Sequence, residues 1–382
     1  MKLKEVCRFL NGGTPSKKKP EYFEGEIPWI TGADINGPIV NSARSYITEE
    51  AILNSATKRV PPNTVLLVTR TSVGKVAVSG MELCYSQDIT SLWPDLEKLD
   101  IYYLTHFLRS RETYLKGQSR GATIKGVTKG VLENLSLHLP PIAEQKRIAG
   151  ILDAADALRV KRRDAISTLD ALLQSTFLTL FGDPITNPMG WDASDLEAVS
   201  EKITDGTHKT PKYTESGIEF LSAKDIKNGS IKWNTGKFIS EDEHKSLITR
   251  CHPEIGDVLL AKSGSLGSVA IIDRDHEFSL FESLCLIKHN RQKIEAQFLT
   301  AMLESPRMQM HLLSRNKGIS IKHLHLTDIR KLKILLPPLD KQRKFATIVA
   351  SIEKQKAQQC AHLAELDTLF ASLQSRAFNG EL

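Results

Sequence analysis

The stretch that decides the fold runs from Leu139 to Phe181, LPPIAEQKRIAGILDAADALRVKRRDAISTLDALLQSTFLTLF, because the chain repeats it near its end. Residues Leu336 to Phe378 read LPPLDKQRKFATIVASIEKQKAQQCAHLAELDTLFASLQSRAF. The two stretches align without insertion or deletion, since 336 minus 139 and 378 minus 181 both give 197. A period this long excludes a solenoid and indicates two copies of one module.

Each copy opens with a proline pair, which supplies a stiff lead-in and a clean start for a helix. Apolar residues then recur three and four positions apart, from Ile148 to Leu180 and from Phe345 to Leu373. This is the pattern of a helix that buries one face. It predicts two helices of about 40 residues, each roughly 60 Å long. We expect the two helices to pair antiparallel with each other; the alternative is that each packs only on its own domain.

The composition is that of a chain of two to four ordinary domains, with 382 residues, 41% hydrophobic and 25% charged. No apolar run is long enough to span a bilayer, and the opening MKLKEVCRFL is not a signal segment. The five cysteines form no CxxC pair, which argues against structural zinc or a disulfide framework and favours a reducing cytoplasm. The net charge of +6 permits a polyanionic partner without requiring one.

The segments before the two helices also repeat, as modules of mixed α and β structure. Ile27–Ile30 and Val65–Val68 are predicted strands, and Ile101 to Leu115 has helical spacing. Val65-Leu66-Leu67 recurs as Val258-Leu259-Leu260 at an offset of 193, while other landmarks shift between 191 and 197. Because loops on a fixed scaffold carry recognition, the two modules are predicted to perform similar tasks on different targets. Plain duplication with drift is the alternative.

The repeat divides the chain into four predicted parts. They are the first module, residues 1–139; the first helix, 140–183; the second module, 184–336; and the second helix, 337–382.

No catalytic motif stands out. The chain has no GxxxxGK[ST], GxGxxG or GxSxG pattern, and Val73-Gly74-Lys75-Val76 lacks the residues of a nucleotide-binding loop. Asn187-Pro188-Met189-Gly190 lacks the second proline and the aromatic residue of an amino-methyltransferase motif, so it is interpreted as a turn. His323 and His325 have no evident third ligand for a metal. The sequence therefore predicts no catalytic residue and no metal site.

Basic residues instead concentrate in turn-rich segments, among small polar residues and at equivalent places in both modules. Such residues bind phosphates, and an Arg, Asn or Gln among them can read base edges. Taken singly, each is more often a solvated charge; their recurrence favours nucleic-acid binding. The candidate DNA contacts are Lys17, Lys18, Lys19, Arg70, Thr71, Ser72, Lys75, Arg120 and Lys125 in the first module, and Lys209, Lys212, Lys224, Lys262, Ser263, Ser265, Lys317, Lys322 and His323 in the second.

Three sets of motifs together resemble the specificity (S) subunit of type I restriction–modification systems, over essentially the whole chain. They are the two proline-led helices, the Gly-Thr turns in GGTPS and DGTHK, and the segments NTVLLVTRTSVGKVAV and GDVLLAKSGSLGSVAI. The resemblance implies an α+β fold with two target-recognition domains related by pseudo-two-fold symmetry. Each domain would read one half of a split, asymmetric double-stranded DNA site, and the helices would form a coiled-coil spacer that sets the gap.

The resemblance also implies partners. Two methyltransferase subunits and the restriction subunits would assemble on this chain, and S-adenosylmethionine, ATP and Mg would bind to those partners rather than here. We expect the methyltransferase to dock on the starts of the two helices, at Gln145, Arg147, Ile148, Gln342, Lys344 and Phe345.

Two other classes of function stay open at this point. One is a stand-alone nuclease or methyltransferase, against which the missing motifs argue, and the other is a coiled-coil scaffold that does not contact DNA. The sequence does not reveal which bases are read, because direct readout depends on loop geometry.

Overall fold

A computed structural model describes residues 1–119, 126–227, 229–314 and 323–382. These residues form two compact units, Met1–Arg163 with Ala361–Leu382, and Asp164–Cys360. Each unit contains one module and a part of both long helices. None of the described helices is long and apolar enough to cross a membrane. The four-part division made from the sequence stays a prediction, because the units divide the helices near their middles.

The first module consists of short strands and helices that precede the first long helix. Its strands are β1 (Cys7–Asn11), β2 (Ile27–Ile30), β3 (Ile39–Val40), β4 (Ser45–Ile47), β5 (Lys58–Val60), β6 (Val65–Val68), β7 (Val76–Ser79), β8 (Leu83–Tyr85) and β9 (Ile89–Pro94). Its helices are α1 (Glu49–Leu53), α2 (Ile101–Ser110), α3 (Glu112–Gly117) and α4 (Lys129–Glu133), and the long helix α5 (Ile142–Phe181) follows. The predicted strands Ile27–Ile30 and Val65–Val68 are confirmed.

The first module forms two sheets that share a core. One has the strand order β1-β9-β6-β7-β3, and the other β4-β2-β8-β5. The central strand β6 is buried on both faces: Val65 and Leu67 pack towards the helices, whereas Leu66 and Val68 pack between the sheets. This explains why β6 is a continuous apolar run rather than an alternating one.

The segment from Ile101 to Leu115, predicted to be helical, is helical and is divided between α2 and α3. Arg111 separates α2 from α3 with φ −95° and ψ 4°, outside the helical region. The Ser110 hydroxyl donates to the Phe107 carbonyl at 2.7 Å, and such a local bond competes with helix continuation. Leu115 still reaches the same core as Phe107, so the apolar spacing survives the break.

The second module has a similar order of elements, with the two-stranded pairs β10–β20 and β13–β14 in addition. Its strands are β10 (Ala193–Asp195), β11 (Ser200–Asp205), β12 (Ile218–Leu221), β13 (Ile226–Lys227), β14 (Ser230–Ile231), β15 (Phe238–Ile239), β16 (Val258–Ala261), β17 (Val269–Ile271), β18 (Phe278–Leu280), β19 (Leu284–His289) and β20 (Lys333–Leu335). Its helices are α6 (Glu241–Ile248), α7 (Ala296–Glu304), α8 (Pro306–Ser314) and α9 (Leu326–Arg330), and the long helix α10 (Leu339–Asn379) follows.

The topology of the second module repeats that of the first. The order β11-β19-β16-β17 corresponds to β1-β9-β6-β7, and β15-β12-β18 corresponds to β4-β2-β8. The central strand β16 again divides its side chains between two cores, with Val258 and Leu260 on one face and Leu259 and Ala261 on the other. The predicted internal repeat and the α+β class are therefore confirmed.

The two long helices pair within each unit, with the start of one beside the end of the other. In the first unit, Arg159 Nε lies 2.6 Å from Asp367 Oδ1. In the second unit, Lys356 Nζ lies 2.7 Å from Asp170 Oδ1, and the rings of Phe181 and Phe345 are 5.5 Å apart. Residues nearer the C-terminal end of α5 thus contact residues nearer the N-terminal end of α10. This confirms the predicted antiparallel pairing.

A buried glutamine at the start of each long helix fastens that helix to its module. Gln145 accepts a hydrogen bond from the Asp100 amide at 2.9 Å and donates to the carbonyls of Lys98 (2.7 Å) and Pro140 (2.8 Å). Asp100 caps α2, so one side chain ties together α2, the proline lead-in and α5.

Gln342 makes the same three bonds in the second unit. It accepts from the Glu295 amide at 2.9 Å and donates to the carbonyls of Lys293 and Pro337. Both glutamines have no exposed surface.

Replacing Gln145 by Leu should lower the free energy of unfolding by at least about 2 kcal/mol, since it strands buried backbone groups without partners. Urea denaturation measures the change. Arg147→Ala, which removes the exposed ion pair of Arg147 with Glu144 three residues earlier, should change stability by less than about 1 kcal/mol. Equal stability of the two variants would contradict the role given to Gln145.

Candidate nucleic-acid interface

Four chain segments converge at one edge of the first module. Gly12, at the end of β1, donates to the Ile89 carbonyl at 3.1 Å. Thr69, after β6, donates to the Asp88 carbonyl at 2.8 Å and accepts from the Val127 amide at 2.9 Å. The β1, β6–β7 and β8–β9 loops and the segment before α4 therefore form one continuous surface.

The equivalent segments converge in the second module. Thr207, after β11, donates to the Leu280 carbonyl at 2.9 Å. Lys262, after β16, donates its amide to the Ser283 carbonyl and accepts from the Leu324 amide, at 2.8 and 2.9 Å. Both modules thus gather loops from the same four places, and we call each such surface the loop edge.

The Gly-Thr turns serve the architecture of the loop edge. A Cβ on Gly13 would lie 2.2 Å from the Ala56 carbonyl carbon, and a Cβ on Gly206 would lie 1.9 Å from the Leu280 carbonyl oxygen. Only glycine permits the chain to cross so close to the neighbouring backbone. The repeated Gly-Thr motif therefore marks where β1 and β11 pass to the second sheet.

Several predicted DNA contacts are exposed as expected. The side chains of Lys17, Lys18, Lys19, Arg70, Thr71, Lys209, Lys212 and Lys224 are exposed, and those of Ser72, Lys75, Ser263, Ser265 and His323 are half-buried. The predicted contacts Arg120, Lys125, Lys317 and Lys322 lie outside the described residues.

The structure brings some of these residues together and leaves others apart. Arg70 forms an isolated β-bridge with Gly126, and Ser263 forms the equivalent bridge with His323. The predicted β6–β7 and β16–β17 contacts therefore lie beside the segments that precede α4 and α9. Lys19 donates to the Tyr22 hydroxyl at 3.0 Å while it stays exposed, and the Lys212 amide donates to Glu243 on α6.

Lys262 is not an exposed contact, and its assignment to DNA binding is corrected. Its side chain is 2% exposed and forms a buried ion pair with Asp205. Arg250 and His208 also contact the Asp205 carboxylate, and Glu282 lies 3.8 Å from the Lys262 ammonium. The positive charge of Lys262 is thus neutralised inside the second module.

The surroundings of Asp205 set its pKa. Burial alone would raise the pKa of this carboxyl, but the hydrogen bond and charge of Lys262, with Arg250 and His208, bring it below the ordinary value. Sequence reasoning missed this cluster, because Asp205 and Lys262 are 57 residues apart and no local motif connects them.

Three polar side chains of the loop edges already make interactions within the protein: Lys75 in the β6–β7 turn, Ser265 in the β16–β17 turn and His323 before α9. The Lys75 ammonium donates to the Ile35 carbonyl at 3.0 Å, and the Ser265 hydroxyl donates to the Ala223 carbonyl. Burial lowers the pKa of His323, and the charge of Lys262 lowers it further. These groups fasten the loop edge, and their capacity to contact a ligand is correspondingly reduced.

Thr71 has an unusual backbone conformation. Its φ is +65°, in the left-handed region where a β-branched residue is strained by about 1–3 kcal/mol. The other non-glycine residues with positive φ in the described ranges are Asn63, Asn187 and Asn234, and asparagine tolerates this region. The second module has Gly264 at the equivalent position, with φ +74°.

The docking residues predicted at the helix starts are mostly buried, so that prediction is corrected. Gln145, Ile148, Gln342 and Phe345 are at most 3% exposed and belong to the cores of their own units. At the start of each long helix, the apolar face packs against the module and is not available to a partner. Replacing Ile148 or Phe345 by Asp would unfold a core rather than test docking. Arg147 and Lys344 are exposed.

The described residues contain no group of three or more His, Cys, Asp or Glu that could hold a metal ion. The chemistry that the loop edges offer is that of hydrogen-bond donors and positive charge, which suits a polyanion.

Comparison with known proteins identifies similar chains. A family model described as "Type I restriction modification DNA specificity domain" matches residues 1–167 and 188–365. The type I restriction enzyme MjaVIII specificity subunit of Methanocaldococcus jannaschii is 24% identical over 373 residues, which cover 92% of this chain and 85% of that protein. The EcoR124I/EcoR124II specificity subunit of Escherichia coli is 36% identical over 163 residues, 41% of this chain and 40% of that one.

Two solved structures share the fold. The type I restriction-modification S subunit from M. genitalium has a TM-score of 0.58 and 19% identity, over 99% of this chain and 95% of that chain. A chain from a study of complex assembly and conformational transition of the type I R-M system has a TM-score of 0.60 and 19% identity, over 100% and 97%.

Replacing Lys262 by Met should lower the free energy of unfolding by about 3 kcal/mol at pH 7, because Asp205 is left charged and buried. A carboxyl with a lowered pKa stabilises the fold above its ordinary pKa of about 3.9, and that contribution disappears as the pH falls through the lower folded-state value. The difference between parent and variant should therefore shrink below about pH 4. Urea denaturation from pH 3 to pH 8 measures it.

Lys209→Met, at an exposed lysine of the same loop edge, is the matched control and should change stability by less than about 0.5 kcal/mol. A Lys262→Met variant as stable as this control would contradict the buried pair.

Proposed function

Because this chain belongs to the type I restriction–modification DNA specificity family, we propose that it recognises a split, asymmetric double-stranded DNA sequence, with one half read by each module. Family membership confirms the resemblance stated from the sequence, and with it the prediction of a specificity subunit rather than a catalytic one. A stand-alone nuclease or methyltransferase is thereby excluded as the family of this chain.

The observation that supports this proposal most strongly is the duplicated loop edge. Both modules gather loops from the same four places on the same strand order, while the residues on those loops differ. Arg70 and Thr71 of the first module correspond to Ser263 and Gly264 of the second. Two surfaces of one geometry and different chemistry suit two different half-sites, which makes the whole site asymmetric.

The paired helices are proposed to set the gap between the half-sites. The described α5 and α10 have 40 and 41 residues and contain no break. A continuous helix cannot change its length, so its residue count fixes a distance. Helix length thereby determines which gap the two loop edges accept.

The methyltransferase subunits are proposed to dock on the exposed faces of the long helices instead of their buried starts. Leu172 and Leu369 occupy equivalent positions of the repeat and are 47% and 50% exposed. Beside Leu369, a groove lined by Leu158, Arg162 and His362 lies on the helix pair of the first unit. Two equivalent exposed leucines suit two copies of one partner.

The remaining partners and cofactors follow the same proposal. Restriction subunits join the complex, and S-adenosylmethionine, ATP and Mg act in the partner subunits. The complex works in the cytoplasm, where the genome is methylated and where the free cysteines of this chain stay reduced.

Replacing Lys17, Lys18 and Lys19 together by Ala should weaken binding of the complex to every duplex by a similar factor. Lysines that bind phosphates release counterions, so the slope of log affinity against log salt should fall by about 0.9 for each phosphate that is no longer neutralised. Fluorescence anisotropy at several salt concentrations measures the slope.

The matched control replaces Lys2, Lys4 and Lys98, which precede β1 or follow β9 at the end of the sheet opposite the loop edge. It removes the same charge and should leave the slope unchanged. Equal effects of the two triple variants would contradict the placement of the DNA.

Inserting four residues into each long helix, after Arg163 and after Cys360, should widen the gap by one or two base pairs. The insertions fall between the two units and leave the contacts within each intact. Four residues add about 6 Å and rotate a helix by roughly 40°, and one base pair adds about 3.4 Å and roughly 35°. Methylome sequencing reads the result, and an altered half-sequence with the original gap would contradict the spacer.

A further inference from the structure

Building on the proposed function, we propose that Arg70 and Thr71 are the base-reading pair of the first module. Arg70 contacts a guanine in the major groove, and Thr71 contacts the neighbouring base pair. The proposal rests on the strain at Thr71, on the rigidity of its turn and on the exposed Arg70 side chain.

The strain at Thr71 is not required by the fold. The equivalent turn of the second module has Gly264 in the same left-handed conformation, so the backbone path is compatible with no side chain at all. The Thr71 side chain is exposed and makes no hydrogen bond to any residue in the described ranges. A strained residue whose side chain does nothing for the fold points to a ligand as the reason for that side chain.

The turn that carries the pair is held rigidly. On one side the Arg70 amide donates to the Asp88 carbonyl at 3.3 Å, and on the other Arg70 bridges Gly126. A Cβ on Gly74 would lie 2.7 Å from the Glu112 side chain, so the turn packs directly against α3. A rigid turn presents its side chains in one orientation, which base readout requires.

Arg70 has the chemistry and the position to read a base. Its exposed guanidinium has no hydrogen bond or ion pair with any described residue. Two parallel N–H donors match O6 and N7 of guanine, the commonest specific contact in the major groove. Because loops flank the turn on both sides, Arg70 lies within the loop edge rather than at its rim, where phosphate contacts are expected.

The second module lacks this pair of side chains. Ser263 replaces Arg70, and the next residue is Gly264. The guanine contact is therefore expected in only one half of the site.

The test is methylome sequencing of cells that express the chain with its own methyltransferase, together with binding of the purified complex to duplexes that differ by one base pair. Arg70→Ala should relax one position of one half-site and reduce discrimination there about five- to a hundred-fold. Arg70→Lys keeps the positive charge but loses the two parallel N–H donors of the guanidinium. Discrimination should therefore fall by a similar factor, while the affinity of the complex for non-specific DNA stays unchanged. Thr71→Gly should relax the adjacent position, with a Tm no lower than the parent's.

Ser263→Ala is the control in the second module and should leave the first half-sequence unchanged. If Arg70→Ala weakens all duplexes equally and lowers the salt slope by about one, Arg70 is a phosphate contact and the proposal is overturned. Unchanged discrimination in Thr71→Gly overturns the role of Thr71. If the parent complex methylates no split sequence, the proposed function itself fails, which is a distinct outcome.

Discussion

The antiparallel pairing of the two long helices is the constraint on which the rest of the structure depends. Each helix gives its beginning to one unit and its end to the other, as the contacts of Arg159 with Asp367 and of Phe181 with Phe345 demonstrate. Neither unit can therefore complete its core without residues from both ends of the repeat. This explains why the two helix repeats have the same number of residues, although the loops of the two modules differ in length.

A second consequence is that the apolar face of each long helix has two packing partners, a module core and the other long helix. Near the start, Ile148 and Phe345 pack into a module core, and further along the stripe packs on the other helix. Gln145 and Gln342 fix the angle at which each helix leaves its module, because each joins the helix to the cap of a neighbouring helix. Outside these contacts Leu172, on α5 in the second unit, and Leu369, on α10 in the first, stay exposed.

The sequence predicts periodic features well and pairings between distant residues poorly. The helix stripe, the buried strand Val65–Val68 and the duplication follow from periodicity, which is local information. The burial of Lys262 could not be predicted, because its partner Asp205 lies on a different strand and only the folded sheet brings them together. The sequence predicts an exposed docking position for Gln145, and the burial of that side chain is unpredictable for the same reason: its partners include the backbone of Lys98 and Asp100. The backbone strain at Thr71 cannot be predicted from the sequence either, since nothing in the sequence distinguishes this threonine from the others.

The central claim is that each module reads its own half-site and that the helices alone set the distance between them. The most direct test replaces residues 194–336 by residues 1–139, so that the chain carries the first module twice on unchanged helices. Methylome sequencing should then reveal a symmetric site, with two inverted copies of the first half-sequence and the original gap. A site that keeps the second half-sequence, or that changes its gap, would contradict the account.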